Sequence, residues 1–498
     1  MTNKLLFARS YEKDAGNKVR EDHRPKFHLS PYVGWTNDPN GFSYYKGEYH
    51  LFYQYNPYST LWDSMHWGHA VSKDMLHWKY LPAALAPDKD YDSFGCFSGS
   101  ALELPDGRQL LIYTGVRKEE GDNGKDIQTQ CLAVGDGLDY EKYENNPVLD
   151  EKDLPEGKSL NNFRDPKMWK DEDGSYKCVI GTCDNEGSGA IVLYRSNDGF
   201  KWEFESTIIE NDGTFGMMWE CPDFFTLDGK QVLIVSPQDM LPQGFEYHNG
   251  NGTLCLVGSY DGETKKFSYD HSQSIDYGID FYAPQTLVTP DGRRVMIGWM
   301  QNWDTCSLID NRSEMAWFGQ MSIPREISIR NGRLYQAPIR EFDELRCNGI
   351  EYKSVYVDGD LTLDGIEGRV ADIELSVRPK DINNVYHKFA IRFAQNEKFR
   401  TSLSFRPKES VLKIDRKFSG SRRAYIHQRR CLVPSENGEI KLRIILDRFS
   451  VEVFVNDGEQ TMTATFLTDI SADRISFFSQ GEAVMDITKY DIREELAE

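Results

Sequence analysis

The sequence predicts an all-β fold, a five-bladed β-propeller followed by a C-terminal β-sandwich, and three observations predict it. Apolar segments are short and β-rich (YHLFYQY, QLLIYTG, YKCVIGT, QVLIVSP), bounded by Gly, Asp, Asn and Pro, and long helical periodicity is almost absent. One turn phrase recurs: Ser72-Lys-Asp74-Met-Leu-His-Trp78, Ser196-Asn-Asp198-Gly-Phe-Lys-Trp202, Ser259-Tyr-Asp261-Gly262 followed by Phe267, and a weaker copy from Gly135 to Tyr143. The anchors 72, 135, 196 and 259 are 63, 61 and 63 residues apart, and one more step reaches about 321, near Met321-Ser-Ile-Pro-Arg325. A period of about 62 residues holds four strands with their loops, the content of one propeller blade.

The elements follow in order. Residues 1–24 read as an N-terminal extension and 25–340 as five blades. The repeat phrase stops after Leu334-Tyr-Gln-Ala-Pro, so 341–349 read as a linker and 350–498 as a second domain. There, alternating strands such as Ser450-Val-Glu-Val-Phe-Val455 run into the hairpin turn Asn456-Asp-Gly458, which with no intervening helices predicts a sandwich.

Composition excludes several function classes. The 498 residues carry 58 Lys and Arg against 79 Asp and Glu, a net charge of −21 that repels a phosphate backbone and argues against nucleic acid as a partner. No apolar run approaches the 18 or so residues of a membrane helix, and the apolar patch in MTNKLLFARSYEKDAG is too short for a signal peptide. The expectation is a cytoplasmic protein with no membrane partner. Nine scattered cysteines, odd in number and without a C-x-x-C pair, read as reduced, mostly buried thiols. His66 and His69 lack further ligands of metal-site spacing, and no phosphate-binding or dinucleotide-binding glycine motif is present, so no metal or cofactor is expected. The pairs Arg422-Arg423 and Arg429-Arg430 read as a solvated strand face.

Three segments set an acid beside a rigidifying Pro: Trp35-Thr-Asn-Asp38-Pro-Asn-Gly41, Asn162-Phe-Arg-Asp165-Pro166 and Trp219-Glu220-Cys-Pro-Asp223. Asp38, Asp165 and Glu220 precede their turn phrases by 34, 31 and 39 residues. Phe97-Ser98-Gly-Ser100 and Asp280-Phe-Tyr-Ala-Pro-Gln285 share that phase, so one polar segment per blade is expected to line a common channel. Two converging carboxyl groups are the minimal equipment of a glycosidase: one protonates the leaving oxygen, and the other attacks the anomeric carbon or activates water. Trp35, Trp62, Phe97, Trp219 and Trp299 offer apolar faces to a sugar, and Asn37, Gln54 and Arg164 offer donors. A single Asp-Pro is ordinary turn text, but three acids at one phase are not.

These residues resemble glycoside hydrolase family 32, the β-fructofuranosidases, over nearly the whole chain. WTNDPNG at 35–41 is similar to that family's nucleophile motif, FRDP at 163–166 to its RDP motif, and WECPDFF at 219–225 to its acid/base motif. The resemblance implies Asp38 as nucleophile, Glu220 as acid and then base with Cys221 tuning its pKa, Asp165 as transition-state stabiliser, and retention of configuration. It also implies a fructosyl pocket shaped by Trp35, Thr36, Asn37, Gln54, Trp62, Phe97, Ser98, Arg164, Asp280 and Trp299. Thr36 stands where the family more often has Met. The implied substrates are sucrose, sucrose 6-phosphate or short fructo-oligosaccharides. The other readings are a propeller glycosidase of different sugar specificity, such as an arabinosidase or sialidase, and a carbohydrate-binding propeller without activity.

Overall fold

The computed structural model describes residues 1–119, 121, 124–306, 315–420, 426–435 and 437–493; the pair Arg422-Arg423 lies outside the described residues. Five sheets, each built on four antiparallel strands, form the predicted blades, with inner strands Gly34–Tyr45, Gly95–Glu103, Lys158–Lys170, Trp219–Leu227 and Tyr282–Val288. Apolar cores lie between neighbouring blades. Leu110 and Ile112 of blade 2, for example, cluster with Phe163 and Val192 of blade 3.

The recurring phrase is the turn from the third to the fourth strand of each blade. In blades 1 to 4 its Asp accepts two backbone N–H groups: Asp74 from Leu76 and His77, Asp136 from Leu138 and Asp139, Asp198 from Phe200 and Lys201, and Asp261 from Glu263 and Thr264. The fifth copy is not near 321. Blade 5 makes this turn at Asn331-Gly332, both with φ above +50°, because residues 300–324 are inserted between its second strand, Arg294–Trp299, and its third, Arg325–Arg330. The insertion carries the short strand Trp317–Phe318, which pairs in parallel with Gly34 and Trp35 and so ties the end of the ring to its beginning.

The N-terminal extension is structured. Thr2 caps a helix over Asn3–Gly16 that buries Leu5, Ala8 and Glu12 against the fourth strand of blade 1. The Glu12 carboxylate accepts the Ala83 N–H at 2.8 Å and Arg9 Nε donates to the Ala83 carbonyl at 2.9 Å, so side chains occupy the outward backbone groups of this edge strand.

The segment read as a linker is a 3-10 turn, Arg340–Leu345, with Phe342 and Leu345 buried, and the first sandwich strand starts at once at Arg346. In the sandwich, the 19-residue strand Arg474–Ile492 pairs with Lys388–Gln395 through its first part and with Ala371–Pro379 through its last, turning from one sheet to the other at Gly481, φ +96°.

Buried charges fasten the sandwich to the ring. Arg325 of blade 5 donates to Glu452 at 2.5 and 2.9 Å and to Asp276 at 3.1 Å. His28 bridges Asp447 (2.7 Å) and Glu452 (2.8 Å), with no side-chain exposure at any of the three. Backbone pairing reinforces these contacts, since Tyr277 and Ile279 donate to the carbonyls of Thr461 and Thr463 at 2.8 and 2.7 Å. A Cβ on Gly278 would lie 2.1 Å from Thr463 N, so only glycine fits there.

Burial pushes the His28 pKa down, but its hydrogen bonds to Asp447 and Glu452 outweigh that and raise it from 6.5 to about 9. A raised histidine pKa stabilises the folded state fully below about pH 6.5, and that contribution is lost as pH rises through about 9. Urea denaturation should therefore show His28→Gln to be less stable than the parent at pH 6, by ~3 kcal/mol for this linkage, with the gap closing towards pH 10. An equal gap at both pH values would contradict a charged His28.

Candidate active site

Each inner strand carries a β-bulge at the same phase. Register shifts fall between Thr36 and Pro39, between Phe97 and Gly99, at Asp165-Pro166 opposite the Val179 to Gly181 step, between Glu220 and Asp223, and between Tyr282 and Gln285. The sequence supplies the cause, for Pro39, Pro166, Pro222 and Pro284 have no N–H to give the ladder. In blade 2, Gly99 approaches the next strand so closely that a Cβ would sit 1.9 Å from the Ile112 carbonyl. Asp165, Cys221 and Ala283, each just before its Pro, take φ of +66°, +49° and +50°, a left-handed conformation that costs such residues about 1–3 kcal/mol. The prolines expected to mark stiff turns thus mark bulges inside strands.

The bulges bring the three acids together. Cys221 is the connector: its N–H donates to Asp165 Oδ2 at 2.9 Å, and its Sγ lies 3.6 Å from both Asp165 Oδ2 and Asp38 Oδ2. Burial holds the Cys221 thiol well above its ordinary pKa of 9, so it stays protonated and can donate. Its thiol serves the two aspartates, not Glu220 as the family resemblance implied.

Both oxygens of Asp38 are held. Ser98 Oγ donates to Oδ2 at 2.7 Å and Asn37 Nδ2 to Oδ1 at 3.1 Å, while Trp35 Nε1 donates to Asn37 Oδ1 at 2.8 Å and so fixes which end of that amide faces Asp38. Glu220 is held from two blades. Arg164 donates to Oε1 through Nε and Nη2 at 3.0 and 2.9 Å, and the Tyr282 hydroxyl donates to Oε2 at 2.6 Å. Burial and the Glu220 charge raise Asp38 to about 6. Burial raises Asp165 to about 7, with Glu220 and Asp38 adding to the rise and Arg164 opposing it.

The aromatic residues divide into wall and rim. Trp35 stacks on Phe318 with centroids 4.9 Å apart, and Trp299 packs tilted between Trp35 (5.9 Å) and Trp303 (4.9 Å). Trp62, 37% exposed, meets Phe97 edge-on at 5.8 Å on the rim.

Several predicted residues stand elsewhere. Asp280 has no exposure and binds the sandwich, with Arg416 Nη1 at 2.5 Å and Thr465 N at 2.7 Å, because the chain before the blade 5 inner strand runs along Gln460–Thr465. Thr36 is buried with its hydroxyl on the Gln54 carbonyl at 3.1 Å. Gln54 donates to the Cys96 carbonyl at 3.0 Å at the junction of blades 1 and 2, and Trp219 lies in the core of blades 3 and 4 with Nε1 on the Phe215 carbonyl at 2.8 Å. Ser98 reaches the centre, but as a donor to Asp38. Tyr282 sits in the DFYAPQ segment, where the charged Asp280 is the more conspicuous residue in sequence, yet it is Tyr282 that reaches Glu220. Thr114, whose Oγ1 accepts the Asp165 N–H at 3.1 Å, has no sequence signal.

Comparison with known proteins agrees with this architecture. Residues 28–338 match the glycosyl hydrolases family 32 N-terminal domain and residues 341–494 the glycosyl hydrolases family 32 C terminal. The chain is 36% identical to a raffinose invertase of Escherichia coli, over 97% of this chain and 98% of that one. It is 35% identical to a sucrose-6-phosphate hydrolase of Escherichia coli, over 93% of each. A Bombyx mori GH32 beta-fructofuranosidase, solved as a mutant in complex with sucrose, superposes with a TM-score of 0.82 at 34% identity, over 99% of both chains. With both of its domains matched end to end and its acids gathered in the propeller, the chain belongs to the glycosyl hydrolases of family 32.

Proposed function

We propose that the protein is a retaining β-fructofuranosidase that releases the terminal non-reducing fructosyl unit of sucrose and small fructosides. The observation that carries this reading is the joining of Asp38 to the Glu220 segment through Cys221, 3.6 Å from Asp38, which supports a nucleophile and an acid acting from one cluster. The kinship with an invertase, a sucrose-6-phosphate hydrolase and a sucrose-bound fructofuranosidase supports the substrate class. Nine free cysteines, eight of them buried, support a cytoplasmic address.

In this mechanism Asp38 attacks the anomeric carbon while Glu220 gives its proton to the departing oxygen, and a covalent fructosyl-enzyme forms. Glu220, now a carboxylate, takes a proton from water, which opens the intermediate with a second inversion and hence net retention. Two donors from Arg164 and one from Tyr282 hold both oxygens of Glu220 and so orient it towards the departing oxygen. Ser98 and Asn37 aim Asp38. Asp165, fixed by the Cys221 N–H, offers negative charge to the oxocarbenium-like transition state and an acceptor to fructosyl hydroxyls. The hydrophobic wall of Trp35, Trp299 and Phe318 excludes water from one side.

Fructose release from sucrose, sucrose 6-phosphate, a short fructo-oligosaccharide and inulin tests the assignment. Asp38→Ala should abolish turnover, and Glu220→Gln should lower kcat by about 10²–10⁴-fold; full sucrose hydrolysis by Asp38→Ala would sink the mechanism. Asp38 must be ionised to attack, so kcat/KM should climb as pH rises through about 6 to 7, where Asp38 and Asp165 lose their protons. Ser98→Ala removes a bond that lowers the Asp38 pKa, and the acidic limb should move to higher pH. A limb unmoved in Ser98→Ala would show that the limb belongs to another group.

A further inference from the structure

The N-terminal helix lies outside the residues that match the family's N-terminal domain, yet it is fastened to the fourth strand of blade 1. Arg9 and Glu12 bond Ala83, and Lys4 Nζ donates to the Pro87 carbonyl at 2.7 Å. From this anchored helix two aromatic side chains converge on Tyr58. Phe7 meets its ring at 5.6 Å and Tyr11 meets it edge-on at 5.2 Å, with the Tyr11 hydroxyl 3.4 Å from the Tyr58 carbonyl. The other neighbour of Tyr58 is the His66 ring, edge-on at 5.5 Å, on the first residue of the third strand.

Tyr58 belongs to the loop 57–65, which carries Trp62. Asn56 closes the same loop, its Nδ2 donating to the Leu61 carbonyl at 2.9 Å and its Oδ1 accepting the Tyr58 N–H at 3.1 Å. Trp62 follows directly, half exposed and edge-on to Phe97, the neighbour of the Ser98 that donates to Asp38. A path therefore runs from the helix to the rim, by ring contacts as far as Tyr58 and from there by the Asn56 hydrogen bonds to Leu61, the chain neighbour of Trp62. It also accounts for Phe7, which is 62% exposed on a helix whose solubility would favour a polar residue.

We propose that the helix, through Phe7 and Tyr11 on Tyr58, positions Trp62 as the wall against which the leaving sugar packs, so that the N-terminal segment sets affinity for the part of the substrate beyond the fructosyl ring. This inference rests on the β-fructofuranosidase reading of the site. An aromatic wall adds affinity to the extent that its ordering is complete before the sugar arrives; a loop released from Tyr58 would lose that freedom at each binding event. Such a wall holds substrate and transition state alike, so its loss raises KM and leaves kcat in place. Tyr58 is then a positioning residue.

The test compares Phe7→Ala/Tyr11→Ala, Tyr58→Ala and Tyr58→Phe in sucrose hydrolysis and in inhibition by free fructose, which fills only the inner pocket. The double variant and Tyr58→Ala should raise the KM for sucrose about 3- to 10-fold with kcat within about twofold and the fructose inhibition constant unchanged. Tyr58→Phe, which keeps the ring, should restore the parental KM. An unchanged sucrose KM in both alanine variants overturns the proposal. So does a fall in kcat with a parallel weakening of fructose, which would mean damage to the whole site. A parent enzyme that releases no fructose from sucrose removes the β-fructofuranosidase reading and this inference with it, whereas an active parent with indifferent variants removes the helix's role alone.

Discussion

The site depends on one backbone constraint, the bulge repeated at the same height in all five inner strands. A regular strand alternates its side chains between two faces, which here meet the neighbouring blades. One extra residue breaks that alternation and turns a side chain towards the axis. Five strands broken at one height deliver Asp38, Ser98, Asp165, Cys221 and Tyr282 to one place, although the first and last are more than two hundred residues apart in sequence. The left-handed residues at three of the bulges carry the conformational cost, and the apolar cores between blades hold them there.

The buried charges between ring and sandwich act on the same region from outside. Asp276 and Asp280 lie just before the fifth inner strand, and both are bound to the sandwich, to Thr463 in the first case and to Arg416 and Thr465 in the second. Tyr282, two residues beyond Asp280, holds Glu220. Leaving a buried charge such as Arg325 or Asp280 without its partner is costly, about 3–5 kcal/mol for a fully desolvated pair. The sandwich therefore sets where the fifth inner strand begins, and through Tyr282 it bears on the acid.

Much of this was legible in the sequence for identifiable reasons. The period showed because the third-to-fourth strand turn needs an acceptor for two N–H groups, and Asp74, Asp136, Asp198 and Asp261 supply it. The acids showed because proline marks the bulges. The fifth mark was misplaced because the ring-closing insertion at 300–324 interrupts the period, and a spacing rule has no term for an insertion. Asp280 was misassigned because phase resolves position to a few residues, whereas the boundary between interface and site falls within two. Thr36 turns its hydroxyl onto the next strand of its own blade and Gln54 reaches across to blade 2, which alternation along a bulged strand does not reveal. The N-terminal helix escaped notice because its buried face is only Leu5, Ala8 and Glu12, and Glu12 reads as polar surface until its Ala83 partner is seen.

The central claim is that the bulges make Asp38 the nucleophile of a retaining reaction. The most direct measurement uses Glu220→Gln with a fructoside whose leaving group needs no protonation, followed by acid quenching, proteolysis and mass spectrometry. The account predicts that the fructosyl-enzyme accumulates, because the base that would activate water is gone, and that the added fructosyl mass maps to Asp38 in the peptide spanning Gly34–Tyr45. Release of the leaving group with no adduct, or an adduct on Asp165, would contradict it.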